Sequence, residues 1–474
     1  MAALLVLLSL LLLLQHGVCG LSRERLSREL GLRLSQSASI TTWSAEEYPR
    51  FSEYGAPRPG AVVTPATEQD VAIIVEYCTS NDISFLAQNG GHWWATTFHL
   101  GSDGLLIILR DLNWVTFNSD KTEVTAGGGA LVSHVIDAAS ENNVLVHTAN
   151  CNCVGILGAL LGGGYGNLMG QYGFAVDNVL SFNAVLADGH LRTITSEDKD
   201  LFWAFRGAGS NFGIVTSVTL KAHPVSPSDQ TGWTGMLSYS HDKVEKVVEA
   251  IKTTHWQPQM SIILYYTTTG SPNHAPRVAV SPFYHGTAEE GRSAFSSFFD
   301  LDPIHDTMLE VQYPHWNDGT DGSCSKTAYQ PAYAAGLATL DVNTWKKVWD
   351  EYVSFVSLNG THETTIMMEA YPLEKARSLP ESSSAYAWRN KVNFNAMAIP
   401  SYHDTKLDSA AVAWASKVRD MWRATDGLDS PAVYINFAHG DEDLSVVYGQ
   451  NVDRLKAIKA SVDPTNIFNQ SFVL

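Results

Sequence analysis

The stretch "AQNGGHWW", Ala87 to Trp94, sets a histidine directly after two glycines and places two tryptophans beside it. Glycine carries no Cβ, so backbone here can turn sharply and approach a ligand closely. Just upstream, "AVVTPATEQDVAIIVEYC" reads as a strand, a turn at Pro65, and a helix opened by Thr67 with Asp70 three residues on. Ile83 to Ala87 then reads as a short buried strand that feeds straight into Asn89-Gly90-Gly91-His92. The pattern puts bare backbone and a ring nitrogen together at the end of a strand.

Working outward, glycines cluster again at 127–129, at 162–166 and at 207–213. The cluster at 162–166 lies in "NCNCVGILGALLGGGYGNL", Asn150 to Leu168, where a small-residue helix precedes the glycines. Such clusters offer N–H groups that can cradle a pyrophosphate. None is a G-x-G-x-x-G directly after a first strand with an acidic residue about 20 positions on, which disfavours that kind of dinucleotide fold. Taken singly, glycine clusters are ordinary turns, a histidine is packing, and a cysteine is a small buried hydrophobe. "LSFNAVLADGHLRTITS" predicts a hairpin turning at Asp188-Gly189. From about Ser226 amphipathic runs such as "HDKVEKVVEAIKTTH" alternate with strands such as "MSIILYYTT" and "RVAVSPFYH", which predicts helices on one face of an antiparallel sheet. "AVYINFAHGDEDLSVVYGQNVDRLKAIKASVDPTNIF" reads as a strand, an acidic loop, a helix and a stop at Pro464.

A chain of 474 residues with a hydrophobic content of 45% and 17% charged residues has material for two cores and no compositional sign of disorder. The formal charge of −18, with no long Lys/Arg run, argues against nucleic acid and anionic membranes and towards a neutral or cationic small molecule. "MAALLVLLSLLLLLQHGVCG" has the apolar run and small residues of a secretory signal peptide cut near Cys19 or Gly20, and no later stretch reads as transmembrane. The expected product is secreted and monomeric. Cys78, Cys151, Cys153 and Cys324 permit a disulfide, but a one-residue gap suits neither a Cys151–Cys153 bridge nor a metal pair, and without H-E-x-x-H or C-x-x-C no metal is expected. Asn359-Gly360-Thr361 and Asn469-Gln470-Ser471 are glycosylation sequons.

Taken in order, four of these segments closely resemble signatures of the berberine-bridge-enzyme-like flavoproteins of the vanillyl-alcohol-oxidase superfamily, whose FAD domain is of the PCMH type. "TPATEQDVAIIVEYC" with "NGGHWW" resembles the first flavin-binding segment and "NCNCVGILGALLGGGYGNLMGQYGFAVDNVLSFNAVLADG" the second. "DLFWAFRGAGSNFGIVTS" resembles the segment that follows, and "YINFAHGDEDLSVVYGQNVDRLKAIKASVDPTNIF" the C-terminal signature. The resemblance implies an α+β, two-domain flavoprotein. A signal peptide over 1–20 would precede an FAD domain over 21–225, then a substrate domain over 226–430 with an antiparallel sheet covered by helices. Residues 431–474 would return to the FAD domain.

Carried onto this chain, the resemblance implies FAD bonded through its 8α-methyl to His92 and through C6 to Cys151. Gln88, Asn89, Gly90, Gly91 and Trp93 would flank the first bond, and Val154, Gly155, Gly158, Gly163, Gly164 and Tyr165 would follow the second. Gly213, Ile214, Val215 and Asn436 would complete the cofactor contacts. Val154 stands at the position that gates the reactive carbon of the ring, where valine accompanies reactivity with O2. Gln88 and Trp93 stand where the family has Arg and Ser, so one side-chain contact to pyrophosphate is expected to be missing. Hydride transfer to flavin N5 needs a base for the substrate's proton. Tyr434, in Tyr434-Ile435-Asn436 on the predicted strand, is the first candidate and Glu369, in "MMEAYP", the second, with Tyr165 lining the site. The implied activity is oxidation of an alcohol, amine or phenol of a natural-product intermediate, with O2 giving H2O2. A carbohydrate oxidase acting at an anomeric carbon, or a non-catalytic flavin-retaining binding protein, are the rivals.

Overall fold

The structure, a computed structural model, describes residues 20–474. The signal-peptide reading and Cys19 lie outside the described residues. The helix Glu68–Ser80 begins as its sequence predicts: Thr67 accepts from the Asp70 N–H while the Asp70 side chain accepts from the Thr67 N–H, so two orphan donors of the first turn are satisfied. It packs Val71, Ile74, Val75 and Cys78 against the parallel strands Ala61–Thr64, Leu105–Ile108 and Phe85–Gln88. Parallel strands buried on both faces run as continuous apolar stretches, and Ala61–Thr64 and Leu105–Ile108 are buried throughout. A second, antiparallel sheet takes Val115–Phe117, Glu123–Gly127, Ile214–Lys221, Val179–Val185 and Leu191–Thr195 in that order. Its hairpin turns at Gly189, whose φ of +75° suits glycine.

The third sheet, of nine strands among the described residues, is antiparallel and runs from Thr231–Thr234 to Phe394–Ile399. Strand side chains alternate faces, and the two faces have different neighbours. Ile262, Leu264, Tyr266, Val278, Ile366 and Met368 pack against the helices Val244–Lys252, Val342–Val356 and Asp408–Arg423. The alternate residues, Tyr265, Thr267, Met367 and Glu369, face a cavity shared with the glycine-rich N-terminal segments. The chain is thus an α+β protein with one face of a helix-backed sheet turned onto a second domain. A buried ion pair, Arg389 to Asp177 at 2.6 Å, crosses between them.

The predicted strand at 432–437 does not form. Ile435–Phe437 is a single 3-10 turn, and only Ala432 makes a bridge, to Gly336. The reason is local: the carbonyls of Ile435 and Phe437 accept from the indole N–H groups of Trp93 and Trp94, each at 3.2 Å, in place of a strand partner. The stretch "VLVHTA", Val144 to Ala149, reads as a strand in the sequence but forms only the two-residue strand Val144–Leu145.

Candidate active site

A cavity of about 910 Å3 lies between the helix-free face of the large sheet and the glycine-rich segments. Asn89 and Gly90 press directly on Val154 and Gly155. A Cβ on Gly90 would come within 2.6 Å of Gly155 N, and one on Gly155 within 2.7 Å of Asn89 Nδ2, so neither position has room for a side chain. Asn89 Nδ2 also donates to the Gly128 and Ala130 carbonyls at 2.9 Å, which ties in the second glycine cluster. Gly91 sits at φ +71° and turns His92 back over Phe51, whose ring stacks on it with centroids 5.4 Å apart.

His92 Nε2 is buried and has no hydrogen-bond partner. Burial, with the positive charges of Lys326 and Arg50 adding to it, pushes its pKa down to about 4, so the ring is neutral and its nitrogen lone pair is available. Cys151 is free and half-buried, and burial raises its thiol. Its Sγ lies 3.7 Å from that of Cys153, which is disulfide-bonded to Cys324. That bridge and the Thr320 hydroxyl, which donates to the Asn150 carbonyl at 2.7 Å, clamp a loop of the substrate domain over the Cys151 turn. Val154 lines the cavity; its N–H donates to Cys151 O at 3.3 Å and its own carbonyl accepts from Val132.

Gly158 shows that this backbone was left bare for a ligand. A Cβ there would meet nothing within 4 Å, yet the residue sits in the helix Ile156–Leu160 and faces the cavity. Gly163 and Gly164 behave differently and do not line the cavity. Both hold positive φ, Gly163 against Tyr386 and Tyr434 and Gly164 against Ala175, so they shape the turn rather than the wall. Gly213, Ile214, Val215, Asn436 and Tyr165 do line it, as do Gln88 and Trp93.

Two residues missed in the sequence stand beside Gln88 and Gly90. Arg50 donates to Gln88 Oε1 and to the Trp93 carbonyl and lines the cavity, so a guanidinium is present at the spot where the family's arginine is replaced. Lys326 Nζ donates to the Gly90 carbonyl at 2.8 Å. Neither carries a local pattern, because both reach the site through loops distant in sequence. Asn469 also lines the cavity, whereas Asn359 is exposed in a turn, so the two sequons differ in accessibility.

The two base candidates separate clearly. The Tyr434 hydroxyl donates to the Ala159 carbonyl at 2.9 Å and accepts from Gly164 N at 3.0 Å and Asn436 Nδ2 at 2.7 Å. Burial holds its phenol far above the usual range. Glu369 is buried on the roof, its Oε2 has no partner, and burial pushes its carboxyl up to about 7, with the Tyr371 hydroxyl opposing the shift. Tyr165, paired through its hydroxyl with that of Tyr386, is pushed up to about 12 by burial.

An unpartnered imidazole nitrogen, a free thiol on the adjoining segment and an open glycine cradle fit a flavin. Residues 59–195 match the family of FAD binding domains, and residues 433–471 match the berberine and berberine-like family. An FAD-linked oxidoreductase of Pyricularia oryzae is 31% identical over 440 residues, covering 90% of this chain and 86% of its own. The chain belongs to the berberine-like FAD-linked oxidoreductases. Among solved folds, BBE-like 1 of Physcomitrella patens superposes with a TM-score of 0.80 at 19% identity, covering 92% of this chain and 97% of that one. A xylooligosaccharide oxidase of Myceliophthora thermophila superposes with a TM-score of 0.77 at 22% identity, over 92% and 97%. This berberine-like protein is therefore an FAD-dependent oxidoreductase of α+β fold.

Proposed function

We propose that the chain is a secreted oxidase that holds FAD through both His92 and Cys151 and takes a proton from its substrate with Glu369. The observation that carries the base assignment is the Glu369 carboxyl on the cavity roof, whose buried Oε2 has no partner and which burial pushes up to about 7. When bound, FAD supplies the hydride acceptor, and O2 the final one. His92 and Cys151 tether the ring, Gly90, Gly155 and Gly158 let backbone lie against the cofactor, and Val154 flanks the ring beside Cys151. Glu369 accepts the hydroxyl, phenol or amine proton as the hydride leaves, which requires its ionised form. Tyr434 is then a brace that ties Ala159 to Gly164 rather than the base, which reverses the order in which the sequence ranks the two.

The substrate proposed is an alcohol, amine or phenol of a natural-product intermediate. Its support is that Tyr265, Met367, Tyr371 and Ile399 line the roof alongside Glu369, giving aromatic and apolar surface against which a ring system can lie, with Thr267, Thr365 and Ser401 beside it. The oligosaccharide reading draws on folds shared at 20–22% identity with a xylooligosaccharide oxidase and a chitooligosaccharide oxidase. Acid precipitation of the secreted protein tests the tether: yellow colour should stay in the pellet. Anaerobic reduction by a panel of aryl alcohols and of oligosaccharides, followed by admission of O2 and a peroxide assay, tests the rest. A colourless pellet and supernatant, or reduction by oligosaccharides alone, would overturn it.

A further inference from the structure

Most cationic groups of the cavity are engaged on the flavin side: Arg50 with Gln88 and Trp93, Lys326 with Gly90. Arg277 is not. It stands on the roof strand Pro276–His285 and lines the cavity, and among the described residues its side chain makes no hydrogen bond or ion pair. Its Nε is buried without a partner. The carboxylates that share the cavity are Glu369, held near neutrality, and Glu363, exposed at the rim, and neither forms an ion pair with it. A buried Nε–H without an acceptor costs free energy, which an anion bound across the guanidinium edge would recover.

Strand register places this group relative to the base. Arg277 pairs with Thr267 and Glu369 pairs with Ile263, four residues along the same strand, and all four alternate onto the cavity face. Four residues span about 13 Å, and Arg277 lies one strand beyond Ile263 on the side away from Glu369. Two strand spacings, about 10 Å, also separate their strands, so the two groups stand at separate ends of the cavity face.

We propose that Arg277 is the anion-binding end of the substrate site, and that the substrates are elongated hydride donors carrying a carboxylate remote from the carbon oxidised beside Glu369. The class rests on the reading of Glu369 as base. It also departs from the neutral or cationic ligand that the net charge of −18 suggests. The global charge acts through solvent screened within about 10 Å, whereas a half-buried guanidinium acts at contact.

The test is calorimetric titration of the flavin-loaded protein with benzoate and 4-phenylbenzoate, and with the matching neutral amides, alongside the flavin difference spectrum. The carboxylates should bind the wild type at least about 10-fold tighter than the amides, and Arg277→Gln should erase that preference while leaving amide binding unchanged. Arg277→Lys, which keeps the charge, should retain part of it and shows that loss in the glutamine variant is not a folding defect. Carboxylates that bind no better than amides, binding of neither, or a preference that survives Arg277→Gln would overturn the proposal. Glu369→Gln separates the two readings. It should keep the carboxylate preference and lose flavin reduction; if it reduces flavin normally, the base assignment fails while the calorimetry still judges Arg277.

Discussion

Replacing Glu369 by glutamine keeps the side chain's shape and removes its charge. In the folded protein burial lifts this carboxyl from 4.5 to about 7. A difference of about 2.5 units corresponds to about 3 kcal/mol between its protonated and ionised forms. The folded pKa lies above the unfolded one, so folding favours the protonated acid. That contribution is complete below about pH 4.5 and is lost as pH rises through 7. Between pH 5 and pH 8 the wild type should therefore lose up to about 3 kcal/mol of stability through this group, and Glu369→Gln should not. Activity has the opposite sign. The base must be ionised, so flavin reduction by the wild type should climb with an apparent pKa near 7, while the variant should be slower by about 100-fold or more and lack that limb. Urea unfolding at both pH values and anaerobic stopped-flow reduction read the two effects. A glutamine variant that reduces flavin at the wild-type rate, or that keeps the limb near pH 7, refutes the assignment. A wild type equally stable relative to the variant at pH 5 and pH 8 refutes the burial argument beneath it.

Tyr434→Phe should do the converse: losing the donor to Ala159 and the acceptor for Gly164 and Asn436 should cost about 1–3 kcal/mol in urea unfolding, with flavin reduction staying within about tenfold of wild type. His92→Ala and Cys151→Ala should each still precipitate yellow from acid, and the double variant should release its colour to the supernatant. Gly158→Leu should fold, because a Cβ there meets nothing within 4 Å, but should fill the cradle and lower the ratio of flavin to protein absorbance. Removing the bridge in the Cys153→Ser, Cys324→Ser double variant frees a loop of 171 residues and should lower stability by about 2–5 kcal/mol, read as a shift of the urea midpoint.

What could be read along the chain was what is determined locally. The helix Glu68–Ser80 carries its own start signal in Thr67 and Asp70, and the hairpin carries its turn in Asp188-Gly189, so both form where their residues say. Gly90 and Gly155 also announced themselves, because a contact that excludes any side chain leaves glycine as its mark. Arg50, Lys326 and Arg277 left no such mark. Each reaches the cavity through packing between segments far apart in sequence, and an isolated cation on a loop or strand end looks the same whether it faces solvent or a cofactor. Cys324 was equally silent, since its partner lies 171 residues away.

The misread strand at 432–437 is the most instructive of these. Its run of apolar residues is real, and Val433, Tyr434 and Ile435 are buried. A strand, however, needs a neighbour to take its backbone groups. Here the neighbours are Trp93 and Trp94, whose indole N–H groups satisfy Ile435 and Phe437 while the Trp94 ring stacks on Phe437 at 5.7 Å. The two large aromatics after His92 therefore serve chiefly as a clasp. They fasten the C-terminal segment against the histidine turn, which sets Asn436 and Tyr434 beside the glycine-rich helix. Their bulk next to bare glycine follows from one requirement: the turn must lie open towards the cavity and be held rigidly from behind.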